Sequence, residues 1–275
     1  MTSPPETPVV SIVTTSFNSA RTIERTINSV HAQDLAVEHI FIDGASTDGT
    51  VDIISRRLRP NDVLVSERDR GISDAMNKGI LRARAPYVGI LHSDDWLAPE
   101  QLSKAVMAIE AAGADFAYGD VLMHVSDDSA YLERGDPNPE RVVGRRMPSV
   151  PHPSMLIRKA VFDELGVYRE DIRLAMDYEW LLRIIRAGKR GVYCADIRPN
   201  MTFDGASNTQ FWRTLGEVRK IVVEYGRSPI VAWGEQIFRH VKTSAGRLVR
   251  KRSGGLYLRL RRLVNPQIAD EMAPQ

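Results

Sequence analysis

Two adjacent carboxylates give the clearest chemical signal in the sequence. Asp94 and Asp95 follow the apolar run Tyr87–Leu91 and precede Trp96. Neighbouring carboxylates repel each other unless a positive charge lies beside them, and Mg²⁺ is bound through one or two carboxylates, water and phosphate oxygens. The pair therefore indicates a Mg²⁺ or Mn²⁺ site beside a phosphate group. The alternative is that one Asp caps the following helix while the other is solvated.

A second polar segment, Asp43–Thr50, also follows an apolar run. Asp43 places a carboxylate where it can accept the imide N–H of a uracil or thymine. The structural alternative is a tight turn in which Asp48 or Thr50 caps the next helix.

A third segment, Glu67–Gly79, joins two arginines to a predicted helix start. Arginine pairs with planar anions and stacks on bases, and a helix N-terminus adds partial positive charge. Arg68 and Arg70 are therefore candidates for contact with a nucleotide. Ion pairs with Glu67 and Asp69 at the surface are the alternative.

Predicted strands and helices alternate along the N-terminal half. Apolar runs predict strands at 9–15, 37–42, 62–65 and 87–91, and helically spaced apolar residues predict helices at 19–33, 51–58, 71–84 and 99–112. This alternation is typical of βαβ units with a mostly parallel sheet, which binds ligands at the carboxyl ends of its strands. We expect the polar segments to meet there.

The pattern is looser after about residue 114. It predicts strands at 115–123, 191–195 and 198–203, a long loop or hairpin at 127–151, and helices at 159–165, 176–187 and 209–225.

Four segments together resemble the family 2 nucleotide-sugar glycosyltransferases. They are Val10–Asn18, Asp43–Thr50, Asp69–Gly79 and Ser93–Trp96, in matching order and spacing over roughly residues 8–123 and more loosely to about 210. The resemblance implies the α/β glycosyltransferase-A fold, a Rossmann-like, mostly parallel sheet flanked by helices that holds a nucleotide diphosphate-sugar at its rim. We expect a disordered N-terminus (1–8), a donor-binding half (9–122), an acceptor-binding half of the same domain (123–226) and a basic amphipathic helical tail (227–275).

The resemblance also implies roles for individual residues. Those expected to bind the nucleotide are Thr15, Phe17, Asn18, Asp43, Arg68, Arg70, Asn77, Ser93 and Asp94. Asp94 and Asp95 match the Asp-x-Asp-type motif and are expected to hold Mn²⁺ or Mg²⁺, and Trp96 and His152 are candidates for acceptor or diphosphate contacts. The chain departs from the family at residues 15–18, where Pro-x-Tyr-Asn is commoner, and at His92, where many members carry an Asp.

Inverting sugar transfer requires a base for the acceptor proton and charge neutralisation on the departing diphosphate. Residues 175–183 are similar to the family's acidic motif at a helix start, in which Asp177 matches the base and Glu179 is the fallback. The alternative is that Asp177 caps an amphipathic helix. Gly205–Ser207 resembles a loop of small residues that closes over the site in relatives.

The C-terminal tail carries an uneven share of the charge. Between Arg239 and Arg262 there are nine Lys or Arg and no Asp or Glu, which leaves 28 basic against 35 acidic residues elsewhere. Apolar residues between Pro229 and Val249 recur at helical spacing, a pattern that fits a helix lying on an anionic membrane leaflet. The alternative is a helix packed on the catalytic domain with a solvated basic face.

Composition limits the other possibilities. The chain of 275 residues is 43% apolar and 26% charged, as in globular proteins, and no apolar stretch is long enough to span a membrane. Residues 1–8 lack the basic start and apolar core of a secretory signal, and the single cysteine, Cys194, excludes an intrachain disulfide. We expect a cytoplasmic protein, with peripheral attachment to the inner face of the plasma membrane.

Two functions remain from the sequence. The first is an inverting, metal-dependent glycosyltransferase with a UDP-, dTDP- or GDP-sugar donor, a cell-surface glycan or lipid-linked acceptor and no nucleic-acid partner. The alternative is a non-catalytic membrane- or nucleic-acid-associated scaffold that uses the basic tail. A dinucleotide-binding dehydrogenase is excluded because no Gly-x-Gly-x-x-Gly occurs.

Overall fold

The computed structural model describes residues 7–126, 129–144, 147–202, 211–237 and 268–269. The predictions for residues 1–6, for Gly205–Ser207 and for the tail beyond residue 237 lie outside these ranges, apart from the two-residue strand Ile268–Ala269. None of the helices in the described ranges combines the length and apolar character needed to cross a lipid bilayer.

Eleven strands form two sheets within the described residues. In chain order they are β1 (Val10–Ser16), β2 (Val37–Asp43), β3 (Val63–Ser66), β4 (Tyr87–Ile90), β5 (Phe116–Tyr118), β6 (Val121–Ser126), β7 (Ser129–Glu133), β8 (Leu156–Arg158), β9 (Gly191–Tyr193), β10 (Asn200–Thr202) and β11 (Ile268–Ala269). The larger sheet has the order β3-β2-β1-β4-β8-β5-β9, and the smaller one has the order β10-β6-β7-β11.

The helices lie between these strands. They are α1 (Ile23–His31), α2 (Thr50–Ser55), α3 (Ile72–Ile80), α4 (Gln101–Ala112), α5 (Lys159–Leu165), α6 (Met176–Arg186) and α7 (Phe211–Glu224). Residues 229–237 form a further helix. The mostly parallel sheet flanked by helices confirms the predicted fold class.

The N-terminal half follows the predicted βαβ pattern closely. Strands β3, β2, β1 and β4 are parallel neighbours, and every residue of β1 and β2 is buried. Strands buried on both faces are typical of sheets covered by helices. The carboxyl ends of these strands therefore meet at one rim.

The C-terminal half differs from the sequence prediction in two places. Residues 115–123 form two strands in different sheets, because Gly119 packs against backbone oxygens: a Cβ there would lie 2.2 Å from the Ile197 oxygen and 2.4 Å from the Cys194 oxygen. The buried Asp120 accepts hydrogen bonds from the Gly135 N–H and the Tyr193 hydroxyl. These contacts end β5 and redirect the chain.

The second difference is β8, which the sequence analysis missed. This three-residue strand pairs antiparallel with both β4 and β5. Three residues are too few to show a strand periodicity. The 127–151 segment, predicted to be a long loop or a hairpin, supplies the second strand of a hairpin, because its β7 pairs antiparallel with the preceding β6.

Helix α3 packs directly on β1 at a glycine. A Cβ on Gly79 would lie 2.2 Å from Val13 Cγ1, and Val13 is fully buried. We predict that Gly79→Ala lowers the free energy of unfolding by about 1–3 kcal/mol, because the core must move to admit the methyl group. Urea denaturation measures this change.

Gly216 in α7 provides the matched control, because a Cβ there meets no atom within 4 Å. Gly216→Ala should raise the free energy of unfolding by up to about 1 kcal/mol through helix propensity. Equal effects of the two substitutions would show that α3 and β1 are not in this close contact.

Candidate active site

The carboxyl ends of β1, β2 and β3 lie side by side. In the parallel register Ser16 pairs with Asp43, and Asp43 pairs with Ser66. The Asp43 carboxylate is fully buried. It accepts hydrogen bonds from the hydroxyls of Ser16, Ser46 and Ser66 and from the Ser46 N–H.

These four donors occupy both oxygens of Asp43, two on each. A carboxylate has about four acceptor positions, so a nucleobase N–H can bind Asp43 only if one serine hydroxyl rotates away. In this structure Asp43 holds the strand ends together. Base recognition by Asp43 stays a prediction with that condition attached.

Phe17 presents an exposed aromatic ring at the same rim. Its side chain is 65% exposed and lies beside Gly44, where an added Cβ would come within 3.3 Å of the ring. The next residue, Asn18, has a positive φ of 49°; its N–H donates to the Ser46 hydroxyl, and its side-chain oxygen accepts from the Thr47 N–H. The interlocked loops hold the ring in a position suited to stacking on a base.

The carboxylate pair is held from the smaller sheet. At the end of β10, the Thr202 N–H donates to Asp95 Oδ1 at 3.2 Å, and the Thr202 hydroxyl donates to Asp94 Oδ2 at 3.1 Å. Arg25 and Thr26 of α1 donate to the carbonyl oxygens of the two aspartates. One residue therefore orients both side chains, and α1 holds their backbone.

Asp95 has the properties of a cation ligand. It is 2% exposed, and its Oδ2 is buried without a hydrogen-bond partner among the residues that the structure describes. Burial, and then the neighbouring Asp94 carboxylate, raise the pKa of Asp95 well above its ordinary value. A buried oxygen without a partner is costly unless a positive group neutralises it. The donor set fits a divalent cation.

Neither aspartate acts as a helix cap. Helix α4 begins at Gln101 with Glu100 at its N-cap position and no side-chain capping bond. Within the described ranges, no group of three or more His, Cys, Asp or Glu side chains is placed to hold a metal ion.

Two histidines lie behind the rim. His92 Nδ1 is 2.9 Å from the Thr15 hydroxyl, and the centre of its ring is 5.9 Å from that of His152. On the far side, His152 Nε2 is 2.8 Å from the Tyr168 hydroxyl. Burial lowers the pKa of His92, opposed by Asp94, and lowers that of His152 to about 3. Both rings are therefore neutral at pH 7. A contact of His152 with the acceptor, diphosphate or metal stays a prediction.

Asp177 lies in the first turn of α6 and is half-buried. Burial raises the pKa of Asp177 to about 6, although hydrogen bonds from the backbone at 177 and 178 oppose the shift. The negative charge of Asp177 also raises the pKa of Tyr168, after burial itself. Tyr168, His152 and His92 follow one another in a row, which we call the polar column. Asp177 therefore lies near the Tyr168 end of this column.

Two contacts fix the start of α6. Glu217 of α7 accepts hydrogen bonds from the N–H groups of Leu174 and Ala175 at 2.8 and 3.0 Å. On the other side, the Asn77 side chain of α3 bonds to both the N–H and the carbonyl of Tyr168. Side chains of α7 and α3 therefore hold the backbone that leads into α6 and so position Asp177.

The placement of Asn77 and Glu179 does not match their predicted roles. Asn77 is buried, and its amide is used on the Tyr168 backbone rather than on a nucleotide. Glu179 is 1% exposed and accepts from the Tyr225 hydroxyl and from Arg183. Glu179 points into the packing between α6 and α7, so it is not a suitable fallback base.

Arg70 and Trp96 are held by protein contacts. The Arg70 guanidinium pairs with Asp74 at 3.0 Å and Glu170 at 2.7 Å, whereas Arg68 is exposed. The Trp96 ring lies 3.4 Å from the Arg25 guanidinium carbon and 4.6 Å from the His124 ring centroid.

Ser93 is also bound within the rim, because its hydroxyl lies 2.7 Å from that of Ser19. Thr202, Tyr168 and Glu217 are site residues that the sequence analysis missed. No motif marks them, since each acts through a partner far away in the chain.

The chain was compared with known proteins. Residues 11–166 match the family model described as Glycosyl transferase family 2. An uncharacterized glycosyltransferase of Mycobacterium tuberculosis is 33% identical over 184 residues, which cover 64% of this chain and 68% of that protein. The succinoglycan biosynthesis protein ExoO of Rhizobium meliloti is 37% identical over 112 residues, which cover 40% of this chain and 32% of that protein.

Solved structures share the fold. S. aureus TarS 1–349 in complex with UDP-GlcNAc superposes with a TM-score of 0.60 and 17% identity over 81% of this chain and 69% of that one. The mannosyltransferase PcManGT from Pyrobaculum calidifontis, in complex with GDP-Man and Mn²⁺, superposes with a TM-score of 0.62 and 19% identity. The match covers 83% of this chain and 68% of that one.

The raised pKa of Asp177 makes stability depend on pH. Below about pH 3 the carboxyl is protonated in the folded and unfolded states, and as the pH rises through about 6 the folded protein must hold a buried negative charge. Asp177→Asn removes this charge, so we predict a gain of about 1–3 kcal/mol in the free energy of unfolding at pH 7.5. The gain should vanish near about pH 3 in urea titrations.

Asp34→Asn is the control, because Asp34 is exposed. Its effect should be small at both pH values. A destabilised Asp177→Asn protein at pH 7.5 would contradict the assigned burial.

Proposed function

The chain belongs to glycosyltransferase family 2, and on this basis we propose that it is an inverting, divalent-metal-dependent enzyme. It would transfer a sugar from a nucleotide diphosphate-sugar to a hydroxyl of a cell-surface glycan or lipid-linked acceptor. The observation that carries the proposal is the buried Asp95 oxygen without a partner, beside a second carboxylate at the rim. The family assignment also favours catalysis over a non-catalytic scaffold.

Asp94 and Asp95 would hold Mn²⁺ or Mg²⁺ together with diphosphate oxygens and water, as such cations are commonly bound. When bound, the cation supplies charge neutralisation for the diphosphate. Thr202 acts as a positioning residue, because its two hydrogen bonds fix the distance between the carboxylates.

The rim between β1 and β2 would bind the nucleoside. Phe17 offers a face for stacking, and Thr15, Asn18 and Asp43 lie around it on the strand ends. Arg68 is exposed and follows β3 by two residues. It is better placed to reach an anion than Arg70, whose guanidinium already pairs with two carboxylates. Structural neighbours contain UDP-GlcNAc and GDP-Man, so the choice among UDP, dTDP and GDP remains for experiment.

Asp177 would act as the base. The acceptor oxygen attacks the anomeric carbon, its proton passes to the Asp177 carboxylate, and the bond between that carbon and the phosphate oxygen breaks to release the nucleoside diphosphate. This single displacement inverts the anomeric configuration. A pKa near 6 leaves Asp177 ionised at pH 7 but makes it a stronger base than an exposed aspartate.

Relatives suggest the acceptor class. ExoO is named for succinoglycan biosynthesis, and a 27% identical M. tuberculosis protein is named a PGL/p-HBAD biosynthesis glycosyltransferase. These names support a cell-surface glycan or glycolipid precursor as the acceptor of this chain.

Nucleotide binding is testable by thermal shift. We predict that UDP, dTDP or GDP with Mn²⁺ raises the melting temperature by roughly 5–10 °C at a concentration near 100 times Kd, because a ligand of the folded state stabilises it by mass action. Asp95→Asn should lose the Mn²⁺-dependent part of the shift, and Asp34→Asn should keep it. No shift with any of the three nucleotides would reject the proposed donor site.

The base is tested by turnover. We predict that Asp177→Asn lowers kcat by about 10²–10⁴-fold and leaves nucleotide affinity unchanged, since Asp177 lies outside the nucleotide rim. In the unmodified enzyme kcat/KM should fall about tenfold per pH unit below pH 6, as the base becomes protonated. The product's anomeric configuration is read by NMR.

Glu179→Gln is the matched control on the same helix. It should reduce stability more than turnover, because Glu179 is buried against Arg183 and Tyr225. If Asp177→Asn retains activity within tenfold of the original, the base assignment is wrong.

A further inference from the structure

The helix 229–237 presents its apolar side outward. Ile230, Trp233 and Ile237 are 84%, 50% and 55% exposed, and their spacing of three and four residues places them on one face. Ala232, in contrast, is buried in the main core cluster. The helix is therefore anchored by a small side chain while its large apolar side chains face away. We call Ile230, Val231, Trp233 and Ile237 the apolar ridge.

The ridge continues onto α7. The Trp233 ring lies 4.2 Å from the Arg219 guanidinium carbon. Trp212, also exposed, precedes Arg219 by seven residues and so shares its helical face. An exposed tryptophan beside an arginine, with a second exposed tryptophan on the same helical face, is typical of surfaces that lie at a membrane–water interface, because the indole ring is apolar with one polar N–H.

Strong positive charge follows the ridge in the sequence. The segment Arg239–Arg262, which we call the basic segment, has nine Lys or Arg and no Asp or Glu, whereas the rest of the chain has a net charge of −7. An apolar face joined to a run of positive charges complements a surface that is apolar inside and anionic outside. A bilayer containing anionic lipid has this combination.

We propose that the apolar ridge binds the surface of an anionic lipid bilayer, to which it is matched by the positive charge of the sequence that follows it. The ridge side chains enter the boundary between headgroups and acyl chains. A second copy of the chain fits less well, because pairing two ridges would bring two basic segments together. A nucleic acid would use the basic charge but leave the ridge exposed. The proposal does not depend on the proposed reaction.

Vesicle co-sedimentation of the full chain tests the proposal without any donor or acceptor. The protein should sediment with phosphatidylcholine vesicles that contain a quarter phosphatidylglycerol and remain in solution with pure phosphatidylcholine. Raising NaCl from about 0.1 to about 0.5 M should weaken binding at least about tenfold, because salt screens the headgroup attraction.

Substitutions in the apolar ridge show whether vesicle binding needs the ridge or only the positive charge of the chain. Ile230→Gln with Ile237→Gln should weaken binding to the anionic vesicles at least about tenfold. Leu81→Gln with Met107→Gln is the matched control, because these apolar side chains are also more than half exposed, one just after α3 and the other on α4, and it should bind like the unmodified protein. Tryptophan fluorescence should shift to the blue on binding, and Trp233→Phe should remove most of that shift.

Three results would overturn the proposal. The first is equal binding to neutral and anionic vesicles, or no binding to either. The second is equal weakening by the ridge and control pairs. The third is a dimer in light scattering that the ridge substitutions convert to a monomer, which would assign the ridge to self-association. Catalytic failure leaves all of these measurements unaffected, so the two proposals fail separately.

Discussion

Two like charges at the end of a buried strand are the constraint around which this molecule is organised. Asp94 and Asp95 follow β4 in sequence, where burial makes ionisation of Asp95 unfavourable. The surrounding elements supply hydrogen bonds from two sides: α1 to the backbone, and β10 to both carboxylates. One carboxylate oxygen still has no partner among the described residues. The arrangement suits a site completed by a ligand.

The same constraint joins the two sheets. Trp96 pairs through its backbone with Asn200, at the start of β10, and its ring is enclosed by Arg25 and His124. The smaller sheet is thereby attached to the loop that carries the carboxylates. Its β10 strand ends at Thr202, so the irregular half of the chain directly shapes the proposed metal site. The two halves separated in the sequence analysis form one site.

Around Asp177, buried polar contacts do the positioning. Asn77 of α3 binds the Tyr168 backbone, Glu217 of α7 binds the backbone before α6, and the Tyr168 hydroxyl meets His152. These hydrogen bonds match buried donors with acceptors, as low-dielectric interiors require. Asp177 is then left half-buried with a raised pKa, next to a neutral column that reaches His92 at the rim.

Local sequence determined the βαβ order and the rim, because strand and helix periodicities, turn residues and apolar runs act over a few neighbours. It also singled out Asp94 and Asp95, whereas Asp177 was reached through the resemblance to the family. Tertiary structure alone decided which polar side chains remain at the rim and which bond within the interior: Asn77 and Glu179 have the residue types of a site but bond to buried neighbours. Thr202 lies 107 residues from Asp95 in the chain. A hydrogen bond between such distant residues depends on how the sheets pack, which no local pattern encodes.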